Sequence, residues 1–249
     1  MYHAHYFAPC VPFCTSVDPL LGRLEYSVMS QQALMELLIA GIEKIDDICG
    51  SRDEPTDLCE WPGVKYRKRR DEVVEVAWSS LRLGGSLDMQ WLPQTVVHFC
   101  ASYNGLIGSS DLEKLPHGLK NFNLGVNNLS GTVRLHAVPK SLVRLNLKCN
   151  KLSGSVDLSG LPIGLKHVIL YRNELCGSLD LTSLPPQIAT LSLDANKFTG
   201  SVDFGSLPDS LLLLDISDND LSGGGAVTKA FAKRIKKGYT NIKFKYVNK

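Results

Sequence analysis

The chain has 249 residues, of which 44% are hydrophobic and 21% charged, with a formal net charge of +2. That balance describes a globular chain and excludes an extended disordered one, and no run approaches the eighteen or so apolar residues needed to span a bilayer. The small net charge hides two basic blocks, Lys65 with Arg67, Lys68, Arg69 and Arg70, and a carboxyl-terminal stretch from Ala226 to Lys249 with eight cations and no acid; the remainder of the chain is acidic.

Residues 1–29 show no periodicity and carry Pro9, Pro12 and Pro19, so they read as an irregular amino-terminal arm. A basic start followed by an apolar core is missing, which argues against a secretory leader. The seven cysteines are odd in number and scattered, which points to free thiols and a reducing compartment. The cytoplasm is therefore the expected location, with a processed secreted form as the alternative. His3, His5, Cys10 and Cys14 are residue types that could close a tetrahedral zinc shell. Their spacing matches no metal motif, so neither a metal nor a cofactor is expected.

Residues 30–69 read as an amino-terminal cap. Ser30 suits a helix N-cap, Leu34, Leu38, Ile42, Ile45 and Cys49 fall on one stripe, and Gly50 is placed to end the helix. The pattern predicts one helix across this stretch, with an apolar side lying on whatever follows.

Residues 70–223 speak one phrase seven times. Asn104, Asn127, Asn150, Asn173, Asn196 and Asn219 are each 23 residues apart, as are Pro93, Pro116, Pro139, Pro162, Pro185 and Pro208. A fixed period in this range marks a solenoid. Within each unit, pairs such as Leu145 and Leu147 point to one side of a short strand. The asparagine meets backbone groups that a sharp turn would strand. Glycines such as Gly154 allow a bend that a Cβ would crowd. The triplets Val156-Asp157-Leu158, Leu179-Asp180-Leu181 and Val202-Asp203-Phe204 suggest a second short sheet. In residues 224–249, Gly223-Gly224-Gly225 is expected to break the chain. A short helix over Ala226 to Lys237 and a last strand bearing Ile242, Phe244 and Tyr246 would then form a basic carboxyl-terminal cap.

The register Leu-x-x-Leu-x-Leu-x-x-Asn-x-Leu-x-Gly, clearest from Leu142 to Gly154, resembles the leucine-rich repeat. It is closest to the plant-type variety and to repeat proteins of kinetoplastid protists. The stretch Cys59-Glu60-Trp61-Pro62-Gly63-Val64-Lys65-Tyr66 resembles the plant-type amino-terminal cap, Cys-x-Trp-x-Gly-Val-x-Cys, with Tyr66 at the second cysteine. The resemblance implies an α/β solenoid, a right-handed superhelix with a parallel sheet on its concave face. It also implies paired cap cysteines in extracellular relatives, which leaves a Cys49–Cys59 bridge open here.

Three outward columns vary while the interior stays apolar. Their middle coils are basic and aromatic, and Arg144, Lys148, His167, Ile169, Tyr171 and Arg172, with Asp194 and Asp215 beyond them, are the expected partner-binding face. Sequence motifs for an enzyme are lacking. The expected role is a non-catalytic scaffold that binds another protein. One alternative is attachment to RNA or an acidic filament through the basic surface formed by Lys65, Arg67, Lys68, Arg69, Arg70, Lys233, Arg234, Lys236 and Lys237, as in a ribonucleoprotein. A secreted recognition module is the other, to which the sequon Asn128-Leu129-Ser130 is relevant.

Overall fold

The computed structural model describes residues 29–247, and His3, His5, Cys10 and Cys14 lie outside them. The stripe expected to form one helix is split. Helix α1 (Gln31–Leu38) ends early, and a single turn, α2 (Asp46–Cys49), follows. Leu34, Leu38, Ile42, Ile45 and Cys49 are nonetheless all buried. The chain leaves the helix to bond the first coil: the Ser86 amide donates to the Gly41 carbonyl at 2.8 Å, and the Lys44 amide to Leu83 at 2.9 Å. A Cβ on Gly41 would sit 2.6 Å from Ser86 Oγ, so a bulkier residue could not make this approach. Gly50 caps α2 in a left-handed conformation, its amide donating to Asp46. Cys49 and Cys59 are both free thiols.

Strands β1 (Val64–Arg67) and β2 (Glu72–Ala77) form an antiparallel hairpin whose turn carries Lys68, Arg69 and Arg70. Beyond it the chain winds through β3 (His98–Cys100), β4 (Asn121–Asn123), β5 (Ser130–Thr132), β6 (Arg144–Asn146), β7 (Lys151–Ser155), β8 (His167–Ile169), β9 (Glu174–Gly177), β10 (Thr190–Ser192), β11 (Lys197–Val202), β12 (Leu213–Asp215) and β13 (Asp220–Val227). These strands build two sheets. The larger runs β1-β2-β3-β4-β6-β8-β10-β12 and ends on a ninth strand, β14 (Ile235–Lys236); all pairs but the first are parallel. Its register joins equivalent residues of successive coils, as in Asn121 with Arg144, Arg144 with His167 and His167 with Thr190. The smaller sheet runs β5-β7-β9-β11-β13 to a last strand, β15 (Asn241–Tyr246).

The second sheet lies earlier in each coil than the Val-Asp-Leu triplets suggested. Its strands cover the stretch around the repeat glycine, such as Lys151–Ser155. The aspartates instead close turns: Asp157 accepts from the amide and hydroxyl of Ser159, and Asp180 likewise from Thr182. Each coil's apolar residues meet in one core between the sheets, with Leu145, Leu147, Leu152, Val168 and Leu170 all buried. Toward the amino-terminal end the core becomes aromatic. Trp61, Trp78, Phe99 and Phe122 follow one another with ring centroids 6.4, 6.4 and 5.7 Å apart. Offset and edge contacts of this kind add to simple burial.

The carboxyl-terminal residues differ from expectation. Gly223, Gly224 and Gly225 do not break the chain; they lie inside β13. A Cβ on Gly224 would fall 1.8 Å from the Lys243 carbonyl oxygen, so glycine lets β15 close on β13. The helix is the single turn α3 (Lys229–Ala232), N-capped by Thr228. Ile235 then pairs with Leu214 as one more rung. The segment is a shortened coil that lengthens both sheets.

Candidate functional site

The face of the larger sheet turned away from the core is held in place by the asparagines. Asn150 shows how. Its Oδ1 accepts from the Leu129 amide of the preceding coil at 3.0 Å. Its Nδ2 donates to the carbonyls of Leu124, also in that coil, and of Leu147 in its own, both at 3.0 Å. Asn127, Asn173, Asn196 and Asn219 bridge coils in the same way, and Asn104 links Leu81 with Trp78. Just before each asparagine the backbone takes a left-handed residue: Tyr103 (φ 60°), Val126 (59°), Cys149 (53°), Arg172 (53°), Ala195 (52°) and Asp218 (54°). This turn ends the strand and sets the edge of the outward face. Arg172 belongs to it and not to the strand columns.

The fold is matched in solved structures. No family model and no curated protein matches the sequence. Pollen receptor kinase 3 is 23% identical, over 87% of this chain and 95% of that one, with a TM-score of 0.56. The BIR2 ectodomain of Arabidopsis thaliana is 20% identical over 73% and 98%, with a TM-score of 0.55. A plant ice-binding protein is 16% identical over 88% and 87%, with a TM-score of 0.54. The fold is that of a leucine-rich repeat.

On this leucine-rich repeat scaffold the register brings most of the sequence-derived face together. Arg144 and His167 are direct neighbours on β6 and β8, and Ile169 and Asp215 share the next column. Lys148, Tyr171 and Asp194 form the third column. The Lys148 ammonium lies 5.5 Å from the centroid of the Tyr171 ring, within the range of a cation–π contact. Interaction with the Tyr171 hydroxyl raises the Lys148 pKa, against the opposing effect of burial. The charge is thus fixed at neutral pH. His167 is pushed the other way, by burial first and then by Arg144 and Lys166, and its Nδ1 lies 3.2 Å from Thr190 Oγ1. Burial and the neighbouring cations both disfavour the imidazolium.

Asp194 is half-buried, and burial raises its carboxyl pKa; the hydrogen bond from Ser192 Oγ, at 2.7 Å, opposes this, and Asp215 and Asp218 add to it. Asp215 accepts from Ser217 and lies 3.7 Å from Lys236 Nζ. The face therefore changes sign within two strands. Two residues were not singled out from sequence. Tyr103, 54% exposed, is close enough to add to the Lys148 shift. Gly125 leaves a gap that Lys148 crosses: a Cβ there would meet Lys148 Cγ at 3.0 Å. The available signal was that Gly125 interrupts a column of larger residues.

The basic residues are not gathered into one surface. The Lys65–Arg70 run sits on the hairpin at one end of the larger sheet, and Lys236 on its last strand at the other. Several are engaged internally. Lys65 and Arg67 approach Glu75 and Glu72 at 3.9 and 3.8 Å, Arg234 donates to the carbonyls of Asp209 and Leu211, and Lys237 donates to Ile242. Among the described residues, no group of three or more His, Cys, Asp and Glu is placed to hold a metal, and no helix is long and apolar enough to cross a membrane. Cys100 lies between Ser79 Oγ at 3.0 Å and Asn123 Nδ2 at 3.2 Å, while His98 turns to Asn121. These contacts do not pair the thiol with a base.

Proposed function

We propose that this protein is a non-catalytic scaffold that captures a protein partner on the concave face of the solenoid, centred on Arg144, Lys148, His167, Ile169 and Tyr171. The observation that carries this reading is the Lys148–Tyr171 contact at 5.5 Å, set beside an exposed Arg144. Arg and Tyr are enriched among residues that dominate binding energy. Relatives in fold that are named as receptors agree with a recognition role. The cytoplasm is part of the same proposal, supported by free thiols at Cys49, Cys59, Cys100, Cys149 and Cys176.

Affinity capture from the native source tests the reading. Tyr171→Ala and Arg144→Ala are expected to lose the partner while keeping the wild-type melting temperature. Capture that survives both substitutions overturns it. Capture that disappears with nuclease, or in about 0.5 M salt where exposed charges are screened, supports attachment through the basic ends instead.

A further inference from the structure

The smaller sheet is backed at one limit and open at the other. At its first strand, β5, the Ser130 amide donates to Gly108 of the preceding coil at 2.9 Å. Among the described residues its last strand, β15, has one neighbouring strand, β13. The alternation of the main chain shows which groups face the open side. The Val247 amide donates to Val227 at 3.1 Å, so Asn241, Lys243 and Lys245, in step with it, turn their amides and carbonyls to β13. Ile242, Phe244 and Tyr246 turn theirs away. One outward group is answered by a stand-in: Lys237 Nζ donates to the Ile242 carbonyl at 2.6 Å, where the amide of a further strand would lie. The larger sheet ends at the same limit on a strand of two residues, β14, so β15 is the longer edge.

The side chains of β15 sort by the same alternation. Ile242 is buried, and Phe244 meets the Phe204 ring edge-on with centroids 5.5 Å apart. Tyr246, 57% exposed, continues the row 6.5 Å from Phe244. Asn241, Lys243 and Lys245 are exposed on the opposite face. An apolar row that runs out uncovered therefore lies back to back with a cationic one.

We propose that the open edge of β15 takes up one strand of a partner protein, a segment in which acidic and apolar residues alternate. The strand's amides and carbonyls pair with those of Phe244 and Tyr246. Residues two apart share a face, so its apolar side chains lie beside Phe244 and Tyr246 and its carboxylates beside Lys243 and Lys245. Opposite charges placed across a strand pair attract. In strand addition the main-chain bonds give affinity and the alternate side chains give specificity. From Ala226 to Lys249 the chain has eight cations and no acid, which selects an acidic strand over a basic one. This edge belongs to the smaller sheet and is independent of the concave-face site.

The test is fluorescence anisotropy of the full chain with labelled peptides of about eight residues. One alternates Glu with Val. Controls alternate Lys with Val, group the same Glu and Val residues into two blocks, or methylate the backbone amides of the alternating peptide. A peptide copy of Asn241–Tyr246 and a single-stranded oligonucleotide complete the set. The alternating acidic peptide is expected to bind roughly tenfold tighter than any other probe, and to slow hydrogen exchange at the Phe244 and Tyr246 amides. Tyr246→Pro removes an outward amide, leaves the ladder to β13 intact and should weaken binding roughly fivefold. Lys243→Glu combined with Lys245→Glu keeps the main chain and should transfer the preference to the Lys–Val peptide. Tyr171→Ala should change none of this. Binding of no peptide, equal binding of the blocked or methylated peptide, preference for the oligonucleotide or the β15 copy, or unprotected Phe244 and Tyr246 amides overturns the inference. Peptide binding lost with Tyr171→Ala overturns it as well, by moving the contact to the concave face.

Discussion

Asn127 Oδ1 sits 3.0 Å from the backbone amides of both Asn104 and Leu106, so one side chain satisfies two donors of the neighbouring coil. Its Nδ2 meanwhile donates to Ala101 and Leu124. Asn127→Ala leaves several buried groups unpaired and should cost about 2–3 kcal/mol. Asn219 is less buried, and its oxygen serves the single amide of Phe198; Asn219→Ala should cost about 1 kcal/mol. Urea unfolding of the two variants checks the ranking, and equal losses would contradict it.

Val126 holds φ at 59°, a conformation that a β-branched residue rarely adopts. Asn tolerates it better, because its short polar side chain suits the left-handed region. Val126→Asn is expected to stabilise the protein by about 1 kcal/mol, seen as a higher melting temperature. A lower one would mean that packing of the half-buried valine outweighs its backbone strain.

Gly63 combines φ of 75° with the Ala77 carbonyl oxygen 2.3 Å from where a Cβ would stand. The obstacle is backbone, joined to Gly63 by the Ala77 amide at 2.8 Å, so it has little freedom to yield. Gly63→Ala should cost about 2–3 kcal/mol and loosen the β1–β2 hairpin first. Hydrogen exchange across Val64 to Ala77 would locate the damage.

Asp194 predicts a pH signature. Burial raises its folded-state pKa above the ordinary value of 3.8. The folded protein therefore holds more protons than the unfolded chain in the window just above 3.8, and stability falls as pH rises through the folded pKa. Asp194→Asn keeps an acceptor for Ser192 and removes the ionisation. The variant should melt higher than wild type at pH 7, and the difference should shrink as pH falls below 3.8. Thermal melts at several pH values decide it; a variant that is less stable at pH 7 would refute the sign.

Much of this architecture is legible in the sequence because each coil has the same hydrogen-bonding need at the same offset. An asparagine at a turn and a leucine two residues from another are local statements. The places where reading fails are governed by partners distant in the chain. Nothing within Leu34 to Cys49 says that Gly41 and Lys44 will bond to Ser86 and Leu83, which is what interrupts the helix. Gly223-Gly224-Gly225 looks like a break until Lys243 is placed against it. Ile235 pairs with Leu214 at a spacing of 21 residues, off the beat of the repeat. The neighbours Arg144 and His167 follow from the period alone, whereas the passage of Lys148 across Gly125 depends on side-chain direction.

The hairpin at one limit of the larger sheet bears Lys65 to Arg70, and the shortened coil at the other limit bears Lys233, Arg234, Lys236 and Lys237. Repeat sheets expose open strand edges at their limits, which invite head-to-tail polymerisation. Here any two copies aligned that way would oppose positive to positive. Self-repulsion at the tips works against fibre growth and leaves the intervening sheet face free for a different molecule.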